Sequence, residues 1–292
     1  MMKSLWNSFK IAFAMFSKIP MPQADWSEEN MRYMLCFFPF VGAAVGVVML
    51  GMEWLCCYFG MSNGFIAVAL VLVPVIVTGG IHVDGLLDTS DALSSWRDRE
   101  KRLEILKDSH AGAFAVITAC VYFLTMYGGM SQIVEQDNRK MLYILATGYM
   151  VSRCLSGIGV ITLPKANASG TVAEFSRKAQ DTRVRNILII YLVLLTGFMF
   201  WIQPVWGTAV IVTALLVFWF YRHKALKYFG GTTGDLSGYF LCLCEVWIVL
   251  VLAIITVVYK ILMRKEHMKM IIGGAFQGKA AFAEKNYRRL NG

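Results

Sequence analysis

The chain has 292 residues, of which 57% are hydrophobic and 16% charged, with a net charge of +9. Soluble domains carry about 25% charged residues. The deficit, and the crowding of Asp, Glu, Lys and Arg between long apolar runs, exclude a soluble enzyme, a disordered chain and a disulfide scaffold. Apolar runs of about twenty residues also argue against a β-barrel, whose strands alternate. The expected fold class is therefore all-α, a polytopic integral membrane helical bundle of about seven spans, with six to eight compatible with the pattern.

The N-terminal residues 5–19 are too short and too polar to cross a bilayer. Lys3, Lys10 and Lys18 beside Trp6, Phe9, Phe13 and Phe16 predict a helix lying in the membrane interface. Pro20 and Pro22 follow where a cleavable leader would carry small residues, so no removable signal is expected. Spans are expected near 36–59, 63–81, 111–131, 141–163, 187–203, 205–221 and 239–262. The fifth and sixth should form a tight hairpin at Gln203-Pro204. Cys36, Cys56, Cys57, Cys120, Cys154, Cys242 and Cys244 form no CxxC pair, and they read as small buried hydrophobes rather than metal ligands or disulfides.

Orientation follows from the bases. With the N-terminus inside, the inner segments collect Lys3, Lys10, Lys18 and Arg32, then the bases of 97–107, 165–185 and 222–227. The outer loop near 132–140 holds Arg139 and Lys140. The positive charge is thus a signature of topology, and no nucleic-acid partner is expected. Seven crossings would leave the basic C-terminal tail outside, against the same rule. Either one span is re-entrant, or the run 236–262 does not cross simply. Loops 82–110, 164–186 and 222–238 share the inner face, where a site would form.

The densest chemistry is Gly79-Gly80-Ile81-His82-Val83-Asp84-Gly85-Leu86-Leu87-Asp88-Thr89-Ser90-Asp91. Asp84, Asp88 and Asp91 follow at i, i+4 and i+7, which lines three carboxylates along one helix face. Like charges so placed are tolerated around a divalent cation, and carboxylate oxygens suit Mg²⁺. Acids directly after an apolar span are costly and usually functional. Residues 97–102 read as a solvated mixed-charge helix. Asp108 and His110 stand at the entrance of the next span, with His110 a candidate phosphate contact or proton carrier.

A second group is Gly230-Gly231-Thr232-Thr233-Gly234-Asp235. Its glycines let backbone amides approach an anion. Asp235 adds a carboxylate, and Arg222, His223, Lys224 and Lys227 precede it. Within the spans, Arg153 and Glu245 are intramembrane charges and hence functional candidates. These residues alone fit two classes of protein. One is a Mg²⁺-dependent enzyme acting on phosphates. The other is an ion or proton-coupled transporter with Asp84, Asp88, Asp91, Arg153 and Glu245 as its path. Inverted repeats would favour the transporter, and none is visible.

The run from Gly79 to Leu93, Lys107-Asp108-Ser109-His110-Ala111-Gly112 and Gly230 to Gly238 with Glu245 resemble the cobalamin synthase (adenosylcobinamide-GDP ribazoletransferase) family. Phe13 to Pro22 and Phe38-Pro39-Phe40-Val41-Gly42 resemble it too, so the likeness extends in order over residues 1–262. Ala92 stands where the family usually has Gly, and His110 where Arg is usual. The resemblance implies that the 5′-hydroxyl of α-ribazole, or of its 5′-phosphate, attacks adenosylcobinamide-GDP and releases GMP. It further implies a multi-pass enzyme of the bacterial inner (cytoplasmic) membrane that requires Mg²⁺, works on the cytoplasmic face and associates with other enzymes of its pathway. Carried onto this chain, Asp84, Asp88, Asp91 and Asp235 would be catalytic and metal-binding. His82, Asp108, His110, Gly230, Gly231, Thr232, Thr233, Gly234, Arg153 and Glu245 would contact substrate. CDP-alcohol phosphotransferases are a neighbouring pattern, but their Ala-Arg pair after the first Asp-Gly is missing here.

Residues 263–292 form a separate segment. Gly273-Gly274-Ala275-Phe276-Gln277-Gly278-Lys279 has P-loop spacing, with Ala280 where Ser or Thr would hold Mg²⁺. It resembles the truncated start of an adenosylcobinamide kinase/guanylyltransferase. Without the rest of that domain it is expected to be non-functional.

Overall fold

A computed structural model describes residues 2–108, 110–166 and 181–267. Its helices are α1 (Met2–Phe16), α2 (Glu28–Met31), α3 (Phe38–Tyr58), α4 (Asn63–Thr78), α5 (Ile81–Ser94), α6 (Arg99–Ile105), α7 (Ala113–Val134), α8 (Arg139–Thr162), α9 (Asp181–Ile202), α10 (Pro204–Lys224) and α11 (Gly234–His267). A 3₁₀ turn (Met34–Phe37) leads into α3, and a π turn (Ala225–Phe229) extends α10. Among the described residues the sole β pairing is one bridge, Lys165 to Thr232. Residues 1–254 form one compact unit. The second unit starts at Ile255, and its described part is the final stretch of α11. The P-loop-like segment falls outside the described residues.

Among the described residues, six helices, or helices with their lead-in turns, are long and apolar enough to cross a membrane: Met34–Tyr58, Ala113–Val134, Arg139–Thr162, Thr182–Ile202, Pro204–Phe229 and Gly234–Val258. The expected second span is different. α4 has 16 residues and rises about 24 Å, short of the ~30 Å hydrocarbon layer. It stops at Gly79 and Gly80, both left-handed with φ of +67° and +80°, and α5 leaves at 92° to it. Successive left-handed residues are cheap only for glycine. Among the described residues the α4–α5 pair is thus the sharply bent apolar element, a broken span or a re-entrant loop. The C-terminal run forms an uninterrupted helix.

α8 is the central helix, with 83% of its apolar window buried. It packs against α3, α9 and α10. α9 is its opposite, with 11% of its window buried and Ile190, Val193, Leu194 and Trp201 turned outward. Outward apolar faces of this kind suit lipid contact. The hairpin between α9 and α10 forms where expected. Gln203 caps α10 by accepting the N–H of Val205 at 2.7 Å, and Pro204 takes the first helical position.

Two expectations need correction. α1 is built into the bundle rather than lying only in the interface. Ile11 and Ala12 join a buried cluster with Met34, Leu35, Val160 and Leu188, and Lys10 turns inward to donate to the Gln23 carbonyl at 2.8 Å. Of the three lysines that suggested an interfacial face, Lys10 is thus spent on a local loop, while Lys3 and Lys18 stay exposed. Of the cysteines, Cys57 and Cys120 are exposed on the bundle surface, and the other five are buried.

Candidate active site

The bend at Gly79-Gly80 swings α5 into the bundle, where it packs on α7. It also meets the start of α11. A Cβ on Gly85 would lie 2.6 Å from the Asp235 carbonyl oxygen, and one on Gly238 would lie 3.0 Å from that of His82. Small residues on both helices let the two backbones touch. This crossing places the α5 carboxylates beside Asp235. Asp84 and Asp235 line one cavity. Asp88, half-buried, lies within electrostatic reach of Asp84, Asp235 and Asp91.

Asp91 shares their face but has a different occupation. Its carboxylate accepts the N–H of Gly112 at 2.6 Å and of Ala115 at 2.9 Å. Those donors open α7, so Asp91 caps that helix from a neighbouring one. The acid row thus runs between two helix N-termini, of α7 at one end and α11 at the other. Positive ends of helix dipoles offset part of its charge.

Among the described residues, no three His, Cys, Asp or Glu side chains stand close enough to hold an ion between them. The donor chemistry still fits Mg²⁺, which commonly takes one or two carboxylates and completes its shell with water and substrate phosphate. Asp84 and Asp88, with Asp235 opposite, are oxygen donors of that kind.

The glycine-rich loop is more structural than its composition suggests. Thr232 is buried, its hydroxyl 2.6 Å from Tyr221 Oη. The Thr232 N–H donates to the Pro164 carbonyl at 2.8 Å, and the Gly231 N–H to that of Ala225 at 3.1 Å. Two amides expected to cradle an anion are therefore spent within the fold, that of Thr232 on residues 164–166 and that of Gly231 on the π turn. Thr233 caps α11, its hydroxyl accepting the Leu236 N–H at 3.2 Å. Gly234 is exposed at the cavity edge, and Gly230 turns the chain with φ +69°.

The model of the cobalamin-5-phosphate synthase family matches residues 8–253. The chain belongs to that family. Adenosylcobinamide-GDP ribazoletransferase of Lachnoclostridium phytofermentans is 43% identical over 82% of this chain and 90% of its own length. The Clostridium botulinum protein of that name is 31% identical over 84% and 96%, and the Clostridium perfringens one 30% over 87% and 100%. No solved structure matches.

In this member of the family, the intramembrane charges answer each other. Arg153 Nη1 donates to Glu245 Oε1 and also to the Tyr149 carbonyl and the Ser152 hydroxyl. Both charged side chains are almost wholly buried. Mutual neutralisation explains their presence at membrane depth without a substrate. Asp108 and His110 pair on the surface, with His110 Nδ1 2.7 Å from Asp108 Oδ1. That contact, with a second bond from the His110 N–H, holds the Asp108 carboxyl below the usual range. His82 is buried in the first turn of α5 and lines the cavity shared by Asp84 and Asp235.

Two groupings emerge only in the fold. α6, taken for a solvated helix, packs on the π turn after α10. Arg99 abuts Gly230, and the Arg102 guanidinium lies 4.8 Å from the centroid of the Tyr228 ring, which Lys224 and Lys227 also face. These bases gather beside the glycine loop, and nothing in their local pattern pairs them. The second group is Tyr149, Arg153 and Ser156, an i, i+4, i+7 stripe on the buried face of α8. That spacing was legible, but the lone Arg drew attention away from its polar neighbours.

Proposed function

We infer that this chain is an adenosylcobinamide-GDP ribazoletransferase, joining adenosylcobinamide-GDP to α-ribazole or its 5′-phosphate with release of GMP. The observation that carries the inference is the crossing of α5 and α11, which brings Asp84 and Asp88 to Asp235 within a chain of this family. The acceptor 5′-hydroxyl attacks the phosphorus next to cobinamide. The bond from that phosphorus to the bridging oxygen breaks, and GMP carries that oxygen away. Such a displacement needs positioning and charge neutralisation more than covalent help.

Asp235 would take the hydroxyl proton, and Asp84 and Asp88 would hold Mg²⁺. Such an ion would supply charge neutralisation for the diphosphate. The N-terminus of α11 at Gly234 faces the same anion. Arg99 and Arg102, with Lys224 and Lys227, add positive charge next to it. The site opens to the cytoplasmic side of the inner membrane. The weight of Lys and Arg in the loops that build it supports this side. Association with other enzymes of the pathway would feed it the activated cobinamide.

The test is direct. The full chain reconstituted in lipid vesicles is given adenosylcobinamide-GDP, α-ribazole and Mg²⁺, and the products are read by mass spectrometry. Equimolar coupled product and GMP are expected, with loss of both on chelation. Absence of coupled product would overturn the reading. A transporter is disfavoured because Arg153 and Glu245, two charges of the imagined path, are closed on each other.

A further inference from the structure

We propose that the cavity between α1, α5, α8 and α11 receives the aromatic base of the nucleoside acceptor, with His82 and Ser156 reading its ring nitrogens. The proposal rests on the transferase reading and gives that site its acceptor specificity.

The cavity measures about 290 Å³. Its walls are apolar, built from Phe16, Met34, Leu35, Phe38, Val160 and Leu241. Its other lining includes Asp84, Gly234 and Asp235, which belong to the acid row and the start of α11. Two wall residues are of another kind. His82 is 7% exposed and Ser156 1% exposed. His82 Nε2 and Ser156 Oγ have no hydrogen-bond partner among the described residues. A buried polar atom left unpaired costs about 1–3 kcal/mol, and native proteins rarely keep one without a reason. Both residues line one cavity, so a small turn of each side chain would bring its orphan atom to a ligand seated there.

The lining selects among the three parts of the substrates. Beside the Mg²⁺ that Asp84 and Asp88 would hold at its edge, a diphosphate would need cationic side chains, and no Lys or Arg lines this cavity. A corrin ring is too large for a space at about the lower end of small-molecule pockets, ~300–1,000 Å³. Guanine carries donors and acceptors along most of its edge, and these walls would leave most of them unpaired. A flat, largely apolar heterocycle with one or two ring nitrogens matches both the walls and the two orphan atoms. Neutral imidazole can donate or accept at Nε2, and a serine hydroxyl can do either, so both can meet such a nitrogen. The edge of Phe38 stands against His82, ring centroids 6.1 Å apart at 67°, which limits how the imidazole can turn. With the base seated here, the attached ribose points toward Asp84 and Asp235. That delivers the 5′-hydroxyl to the carboxylate that takes its proton.

The experiment uses the full chain in vesicles and measures KM separately for α-ribazole and for adenosylcobinamide-GDP. Ser156→Leu fills the cavity, and His82→Phe keeps the ring and removes its nitrogens. Each is expected to raise the α-ribazole KM about tenfold while the KM for adenosylcobinamide-GDP stays within about twofold. Ser156→Ala adds no bulk and removes one orphan atom, so it keeps the fold if the bulkier change does not. It is expected to raise the α-ribazole KM severalfold. Equilibrium dialysis of α-ribazole against each variant should show the same order. An unchanged α-ribazole KM in Ser156→Ala and His82→Phe, or equal rises for both substrates, overturns the cavity assignment. Failure of the unmodified chain to couple the two substrates would instead overturn the transferase reading.

Discussion

Arg153 and Glu245 form an ion pair inside the bundle, with side chains 0% and 4% exposed. The pair joins α8, the central helix, to α11, which carries Asp235 at its start. A buried pair adds little net stability relative to an apolar replacement, but breaking it strands a charge at a cost of about 3–5 kcal/mol. Glu245→Leu and Arg153→Met should each lower the melting temperature of the detergent-solubilised protein sharply. The double variant should recover most of the loss. Additive losses in the double variant would mean the two charges do not act as a pair.

The acid row divides into two kinds of residue. Asp84→Asn and Asp88→Asn remove charge without removing a structural bond that the fold depends on. Each should abolish transfer while the melting temperature stays within about 2 °C. Asp91→Ala removes the cap of α7 and should cost about 0.5–2 kcal/mol. Asp91→Asn keeps one of the two accepting oxygens and turns an NH2 toward the other N–H, so it should retain only part of the cap's stability and a measurable fraction of turnover. Turnover at saturating substrates, read beside thermal melting, separates the two kinds. Full activity in Asp84→Asn and Asp88→Asn would remove the carboxylates from the chemistry.

The membrane class, most spans and the residues of the acid row were legible because they are local. A run of apolar residues sets a span, and i, i+4, i+7 spacing sets a helix face. What Asp91 does was not legible, because its partners Gly112 and Ala115 lie 21 and 24 residues away on another helix. Thr232 misled for the same reason. Its place in a glycine-rich stretch suggested phosphate, and only the folded chain brings Tyr221 and Pro164 to it. The role of Gly85 and Gly238 is likewise a property of two helices meeting, invisible in either one.

The bases beside the glycine loop should act on the anionic substrate alone. Arg99→Ala and Arg102→Ala are expected to raise the KM for adenosylcobinamide-GDP about three- to tenfold, with the α-ribazole KM little changed. Arg102 also stacks on Tyr228, so Arg102→Lys, which keeps the charge and loses the planar face, should recover only part of the loss. Raising ionic strength should weaken the unmodified protein toward the variants, since exposed charges are screened beyond about 10 Å at 0.1 M salt. An unchanged KM in both alanine variants would detach α6 from the site.

The closest test of the site's geometry is the α5–α11 crossing. A methyl group on Gly85 would meet the Asp235 carbonyl at 2.6 Å, a separation that real Cβ atoms do not tolerate. The obstacle is backbone, so no flexible side chain can move aside. Gly85→Ala must therefore push α5 from α11 or tilt one of them. Either motion shifts Asp84 and Asp88 relative to Asp235. Misplacement of reacting groups by about 1 Å can cost on the order of 100-fold in rate. Gly85→Ala is thus expected to insert in the membrane and keep its helical content while losing at least about 100-fold in turnover. Gly238→Ala meets the His82 carbonyl at 3.0 Å and should lose less, because a few tenths of an ångström of adjustment relieve it. Circular dichroism checks the helices and product formation checks the site. Near-normal turnover in Gly85→Ala would show that the reaction does not need α5 and α11 in contact. The Asp84 and Asp235 carboxylates would then have to act apart.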